Sequence, residues 1–237
     1  DAPQESLFNA QPSLGANRAS NWAPEGMRYD AERFKAALRE MLAVAPQRRT
    51  HGYDYDLVDI ARQALANESR QLLPRIAGAY ARKDRPAFRS LTQRWLALMD
   101  LEDRLLSTHR AFLLGSWLAC VGPWASNADE RARLEYDARS LLTTWGDRKA
   151  SEGAALHDYG NRDWAGLVHD YYRMRWQTFF QGLDAELRTG VPAEPVDWFA
   201  LGDAWNHAVT GYPREPHGDP YRVALEVART LGIVRQK

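Results

Sequence analysis

The chain has 237 residues, 45% of them apolar, and its 31 basic and 31 acidic residues cancel. That length supports one large domain with a buried core, and the interspersed charges exclude the basic stripe that holds nucleic acid or an anionic membrane. A single cysteine, Cys120, excludes an internal disulfide framework and a cysteine-rich zinc site, and no apolar run reaches the length of a membrane span.

Residues 1–28 are rich in Ala, Asn, Gln, Ser and Pro without an apolar period, and read as an irregular arm of the kind that lies on another domain. The first residue is Asp1 rather than methionine, which leads us to expect a cleaved N-terminus or a piece of a longer protein. Residues 29–237 read as all-helical. "RYDAERFKAALREMLAVAP" places Phe34, Leu38, Met41 and Leu42 on one helical face, with Asp30 as N-cap and Pro46 closing the segment. The pattern resumes at Leu57, Ile60, Ala64, Leu65, Leu72, Ile76 and Tyr80, where Pro74 predicts either a kinked helix or two shorter ones. Asp84 and Pro86 then cap a helix carrying Phe88, Leu91, Trp95, Leu98 and Leu105, which makes a helical hairpin.

A shorter apolar segment, "FLLGSWLACVGPW", places Cys120 as a buried, inert thiol. Asn127 with Glu130 resembles a capping box, and Leu134, Ala138, Leu141 and Trp145 mark the next helical face. The most aromatic helix carries Trp164, Leu167, Val168, Tyr171, Trp176, Phe179, Phe180, Leu183 and Leu187, and stops at Gly190. Two more helices fit "PVDWFALGDAWNHAV" and "DPYRVALEVARTLG", the second with Asp219 as N-cap. Without β-alternation or hairpin dipeptides, the expected fold is an all-α, multi-helix bundle.

Self-sufficient catalytic signatures are missing: there is no phosphate-binding loop, nucleophile elbow or zinc-binding HExxH. The six histidines do not pair at metal-ligand spacing, so neither a metal nor a cofactor is expected. His217 and Asp219 look like a ligand pair, but Asp219 is better explained as a cap. Asn67-Glu68-Ser69 matches a glycosylation sequon yet falls inside a predicted helix. Trp95, Trp176 and Trp205 lie on apolar stripes and are expected in the core.

The loop "WGDRKASEGAALHDYGNRDW" is different, because aromatics and carboxylates crowd together in it. Trp145, Asp158, Tyr159, Asn161 and Trp164 have the chemistry of a sugar site: carboxylates and amides meet hydroxyls, and an indole or phenol face packs on a sugar ring. The same residue types also serve as turn formers and helix caps, and chemistry alone leaves both readings open.

Six ordered segments carry a resemblance: "RYDAERFKAALREML", "YDYDLVDIARQAL", "HRAFLLGSWLA", "DARSLLTTWG", "DYGNRDWAGLVHDYYRMRW" and "HGDPYRVALEVA". Together they resemble the C-terminal helical domain of glycoside hydrolase family 89, the α-N-acetylglucosaminidases, from about Trp22 to the C-terminus. The resemblance implies a bundle packed on an upstream (β/α)8 catalytic domain, in an exported (secreted or periplasmic) enzyme that removes terminal α-linked N-acetylglucosamine from glycans with retention. Its catalytic carboxylates belong to the barrel, so no Glu or Asp of this chain, Glu152 included, is expected to be catalytic. The loop would form one wall of the substrate cleft, with Trp145 packing on the ring, Tyr159 beside it, and Arg139 pinning loop carboxylates. The alternative is a stand-alone helical module for sugar or protein binding.

Overall fold

The computed structural model describes residues 6–235. Among them eight α-helices carry the fold: α1 (Ala31–Ala43), α2 (His51–Ala81), α3 (Arg85–Leu106), α4 (Leu114–Ala119), α5 (Ala128–Ser140), α6 (Met174–Thr189), α7 (Trp198–Asn206) and α8 (Pro220–Thr230). Extended pairing among the described residues is limited to one parallel bridge between Leu113 and Ala165.

Helix starts follow local chemistry. The side chains of Asp30, Thr50, Asp84, Asn127, Asp197 and Asp219 each accept from a backbone N–H of the turn that follows, which satisfies donors no helix can pair internally. At Asn127 the predicted box forms in modified geometry: Glu130 N–H donates to Asn127 Oδ1, while the Glu130 carboxylate accepts from Ser126 N–H. Gly190 ends α6 in the left-handed region, at φ 75°.

Helices α2 and α3 form the central hairpin, and α2 continues through Pro74 as one element. Helices α1 and α8 pack on α2, α6 packs on α3, and α5 packs on α4 and α7. Trp95 and Trp176 meet at 4.5 Å between ring centroids in the middle of the core, both fully buried. Six residues before α6, from Val168 to Arg173, wind as a π-helix. The wider turn shifts the buried face, so the consecutive Tyr171 and Tyr172 are both enclosed, and Arg175 follows them inward.

Three expectations change. Cys120 is exposed, because α4 ends at Ala119 and turns its C-terminal end to solvent. Leu141 lies beyond the end of α5 and is also exposed. Segment 6–10, which has no helical period, is built into this domain's own core. Phe8 sits edge-on to Trp95 at 4.7 Å, its carbonyl accepts from Trp176 Nε1–H at 2.9 Å, and Leu7 N–H donates to Ser69. Farther along, Arg70 of α2 donates to the carbonyls of Asn17, Pro24 and Glu25. Contacts of this kind give no periodic signal, since each arises from a single inserted residue.

Candidate functional site

The loop after α5 is held from several sides. Thr143 Oγ1–H donates to Asn206 Oδ1 of α7 at 2.6 Å, and Asn206 returns a bond to Thr144. Trp145, Ala155 and Asp158 occupy the left-handed region at φ 64°, 55° and 58°. Outside glycine that conformation costs on the order of 1–2 kcal/mol per residue, so packing must hold it. Gly160 allows the tight return, because a Cβ there would fall 2.3 Å from the Leu141 carbonyl oxygen and 3.2 Å from the Trp145 ring.

The loop presents an aromatic ledge. Trp145 and Tyr159 meet edge to face at 4.8 Å, and Trp22 of the N-terminal segment meets Tyr159 at 6.2 Å. Trp22 is 68% exposed and Tyr159 47%. Asn21 donates to the carbonyl of Ala155 at 3.1 Å and so ties the segment carrying Trp22 to the loop.

Beneath the ledge lies a buried ion pair. Asp158 and Arg175 are closed to solvent, with Arg175 Nη1–H donating to Asp158 Oδ2 at 2.9 Å. Arg175 also donates to the Asn9 carbonyl at 2.8 Å and lies over the Tyr171 ring at 4.3 Å. Burial works against the Arg175 charge, but the Asp158 carboxylate outweighs it and raises the guanidinium above its usual range. Burial raises the Tyr172 hydroxyl well above its ordinary range, and the Asp158 charge adds to the effect.

His157 Nδ1 faces the same Asp158 oxygen at 3.0 Å. Opposite a carboxylate shared with Arg175, Nδ1 carries the proton in the neutral ring, which leaves Nε2 as a hydrogen-bond acceptor.

A second network adjoins the first. Asn161 donates to the Asp158 carbonyl and accepts from Asn9, whose amide also donates to Asp163. Asp163 pairs with Arg62, which bonds Asp59 as well. Glu102 lies nearby, fully buried, and its carboxyl is raised well above the usual range by burial and then by the Asp163 charge, with Arg62 opposing. No group of three His, Cys, Asp or Glu suited to a metal occurs among the described residues.

The five residues singled out in the sequence therefore separate. Trp145 and Tyr159 belong to the ledge, while Asp158 and Asn161 are buried supports whose polar atoms serve the loop itself. Trp164 turns away and packs on Trp117 of α4 at 5.8 Å. Arg139 does not pin loop carboxylates: it donates to the Thr210 carbonyl and lies over the Trp205 ring, and the pinning cation is Arg175. Glu152 is an exposed loop residue paired with Arg148.

Residues 1–230 match the family described as the alpha-N-acetylglucosaminidase (NAGLU) C-terminal domain. The chain belongs to this family.

Among relatives of this α-N-acetylglucosaminidase C-terminal domain, the human alpha-N-acetylglucosaminidase is 31% identical over 222 residues, which are 92% of this chain and 28% of the relative. A family 89 glycoside hydrolase from Clostridium perfringens, solved in complex with PUGNAc, superposes with a TM-score of 0.91 at 31% identity, over 96% of this chain and 27% of that one. Another structure from Clostridium perfringens, in complex with its substrate GlcNAc-α-1,4-galactose, superposes at 0.90 with 32% identity, over 94% of this chain and 26% of that one. The chain thus spans little more than a quarter of the length of these relatives.

The reading from sequence missed Trp22, His157 and Arg175 as parts of this α-N-acetylglucosaminidase C-terminal domain site. Trp22 and Arg175 become visible only through contacts between segments far apart in the chain. His157, next to Asp158 in a loop, was the one with a local signal.

Proposed function

We propose that this chain is the helical domain of a retaining exo-α-N-acetylglucosaminidase and forms one wall of its substrate cleft. The observation that carries the reading is the Trp145–Tyr159–Trp22 ledge, an exposed aromatic surface on a rigidly supported loop in a domain of this family. An indole or phenol face packs on the apolar face of a sugar ring, and His157 Nε2 offers an acceptor for a hydroxyl two residues from Tyr159.

In this reading the chain supplies no acid, base or nucleophile. Retaining hydrolysis needs two carboxyl groups about 5–5.5 Å apart, and these belong to an upstream (β/α)8 domain that the present chain does not contain. The helical wall binds and orients a terminal α-linked N-acetylglucosamine while that pair does the chemistry. Export, to the periplasm or outside the cell, is the location this role implies, because that is where such glycans are met.

The test is to co-express the chain with a family 89 catalytic domain and assay an aryl α-N-acetylglucosaminide. The expected result is hydrolysis by the complex and none by either part alone. A well-folded complex without activity would overturn the reading. Saturable binding of N-acetylglucosamine by the isolated chain, with no effect on the catalytic domain, would favour a stand-alone sugar-binding module instead.

A further inference from the structure

Away from the ledge, a groove of about 400 Å³ runs between α3 and α6, and a second hollow of about 310 Å³ adjoins it, sharing Arg89 and Gln93. Along α6 its centre at Asp184 lies nine residues from Arg175, roughly 14 Å at the helical rise.

The charges in this groove do not balance. Its walls carry Arg85, Arg89 and Arg188 against one carboxylate, Asp184, so three positive charges less one leave two in excess. Arg85 takes both oxygens of Asp184 in a bidentate pair at 2.9 Å each. Hydrogen bonds from Arg85 hold the Asp184 carboxyl below its usual range, and the charges of Arg85, Arg89 and Arg188 lower it further. Arg89 and Arg188 are exposed and have no hydrogen bond or ion pair from their side chains among the described residues. This local excess stands out on a chain whose total charge is zero.

The rest of the lining has a second character. Gln93 and Gln181 present side-chain amides, and Leu96 and Phe180 supply apolar surface. Amides suit hydroxyl groups, apolar surface suits a sugar ring, and an unpaired guanidinium is a two-toothed donor for carboxylate or sulfate.

We propose that the α3–α6 groove binds an oligosaccharide bearing anionic substituents, with Arg89 and Arg188 each holding a carboxylate or sulfate and Gln93 and Gln181 meeting hydroxyls. The two hollows joined at Arg89 give room for more than one sugar unit. The site is separate from the ledge and does not rest on the proposed catalytic role.

Calorimetric titration of the chain with a heparin-derived hexasaccharide, at low and at physiological salt, tests it. Saturable binding is expected, weakened at least tenfold in the double variant Arg89→Gln/Arg188→Gln and unchanged in Trp145→Ala. Both arginines are exposed, so the double variant should melt like the parent, and the melting curve verifies this. The double variant should also leave hydrolysis of a neutral aryl glycoside by the co-expressed complex unchanged.

No binding of the hexasaccharide, or equal binding by the double variant, would overturn the proposal. Two comparisons guard against a weaker explanation. Single-stranded DNA of equal charge binding as tightly, and losing it in the same variant, would reveal a generic polyanion patch. Inorganic sulfate displacing the hexasaccharide at equal concentration would reveal a simple anion site; either result rejects the glycan assignment.

Discussion

Arg175 Nη1–H donates to Asp158 Oδ2 across 2.9 Å, and neither side chain reaches solvent. The pair joins the π-wound start of the aromatic helix to a loop residue held at φ 58°, and a second Arg175 donor grips the Asn9 carbonyl. One guanidinium therefore fixes three parts of the chain beneath the ledge. Removing one partner of such a pair leaves an uncompensated buried charge, at a cost of about 3–5 kcal/mol. We expect Arg175→Met to lose stability on that scale in urea unfolding. The double variant Arg175→Met/Asp158→Asn should recover part of the loss, because it buries no net charge. If the double variant were the less stable of the two, the ion-pair account would fail.

Phe8 is predicted to matter as much as any helical core residue. It is closed to solvent, and its ring meets Trp95 at 4.7 Å. Phe8→Ala should cost about 3–5 kcal/mol, the usual range for emptying an aromatic site in a core. Equilibrium denaturation measures this directly. A loss well under 1 kcal/mol would show that segment 6–10 peels away without disturbing the bundle.

Glu102 gives the stability a pH dependence of definite sign. Burial raises its folded carboxyl well above the unfolded value, with Asp163 adding to the rise, Arg62 opposing, and Asp103 contributing weakly. The contribution is fully present below the unfolded pKa of about 4.3 and is lost as pH rises through the folded pKa. Within that window the slope reaches about −1.4 kcal/mol per pH unit for one group. Glu102→Gln keeps a neutral side chain of similar shape, so it should flatten this part of the profile and be the more stable form at neutral pH. Parallel profiles for the two proteins would contradict the assignment. Neighbouring Asp103 is also raised by burial and remains in both proteins, so the difference between them isolates Glu102.

The parts of this architecture that sequence made legible were local. Asp30, Asp84, Asn127 and Asp219 are caps because the turn following each cap supplies the donors. Trp145 and Tyr159 were legible as a surface pair because one loop carries both. Asp158 was ambiguous for a physical reason: a carboxylate suits a sugar hydroxyl, a turn or a buried arginine equally well, and only the position of Arg175, 17 residues on, selects the last. That position depends on the π-helical turns, which depart from the 3.6-residue period on which pattern reading relies. Trp22 and Phe8 lacked a signal because neither belongs to a regular element that repeats its contact.

The ledge makes the sharpest functional prediction. Trp145 is half-buried, and its ring rests against Gly160 and Tyr159 rather than in the main core. Its removal should therefore disturb binding more than folding. In the co-expressed complex, Trp145→Ala is expected to lower kcat/KM by about tenfold, the equivalent of 1.4 kcal/mol and the scale of one aromatic contact. Tyr159→Phe keeps the ring and should change it less than Trp145→Ala does. Trp22→Ala should have the smaller effect of the two tryptophans on a short aryl glycoside, because Trp22 touches Tyr159 but not Trp145 and stands at the outer end of the ledge. A disaccharide substrate, which extends beyond the terminal sugar, should enlarge the Trp22 effect. Unchanged kinetics for Trp145→Ala in a folded complex would remove the ledge from the cleft and leave it as a contact between domains.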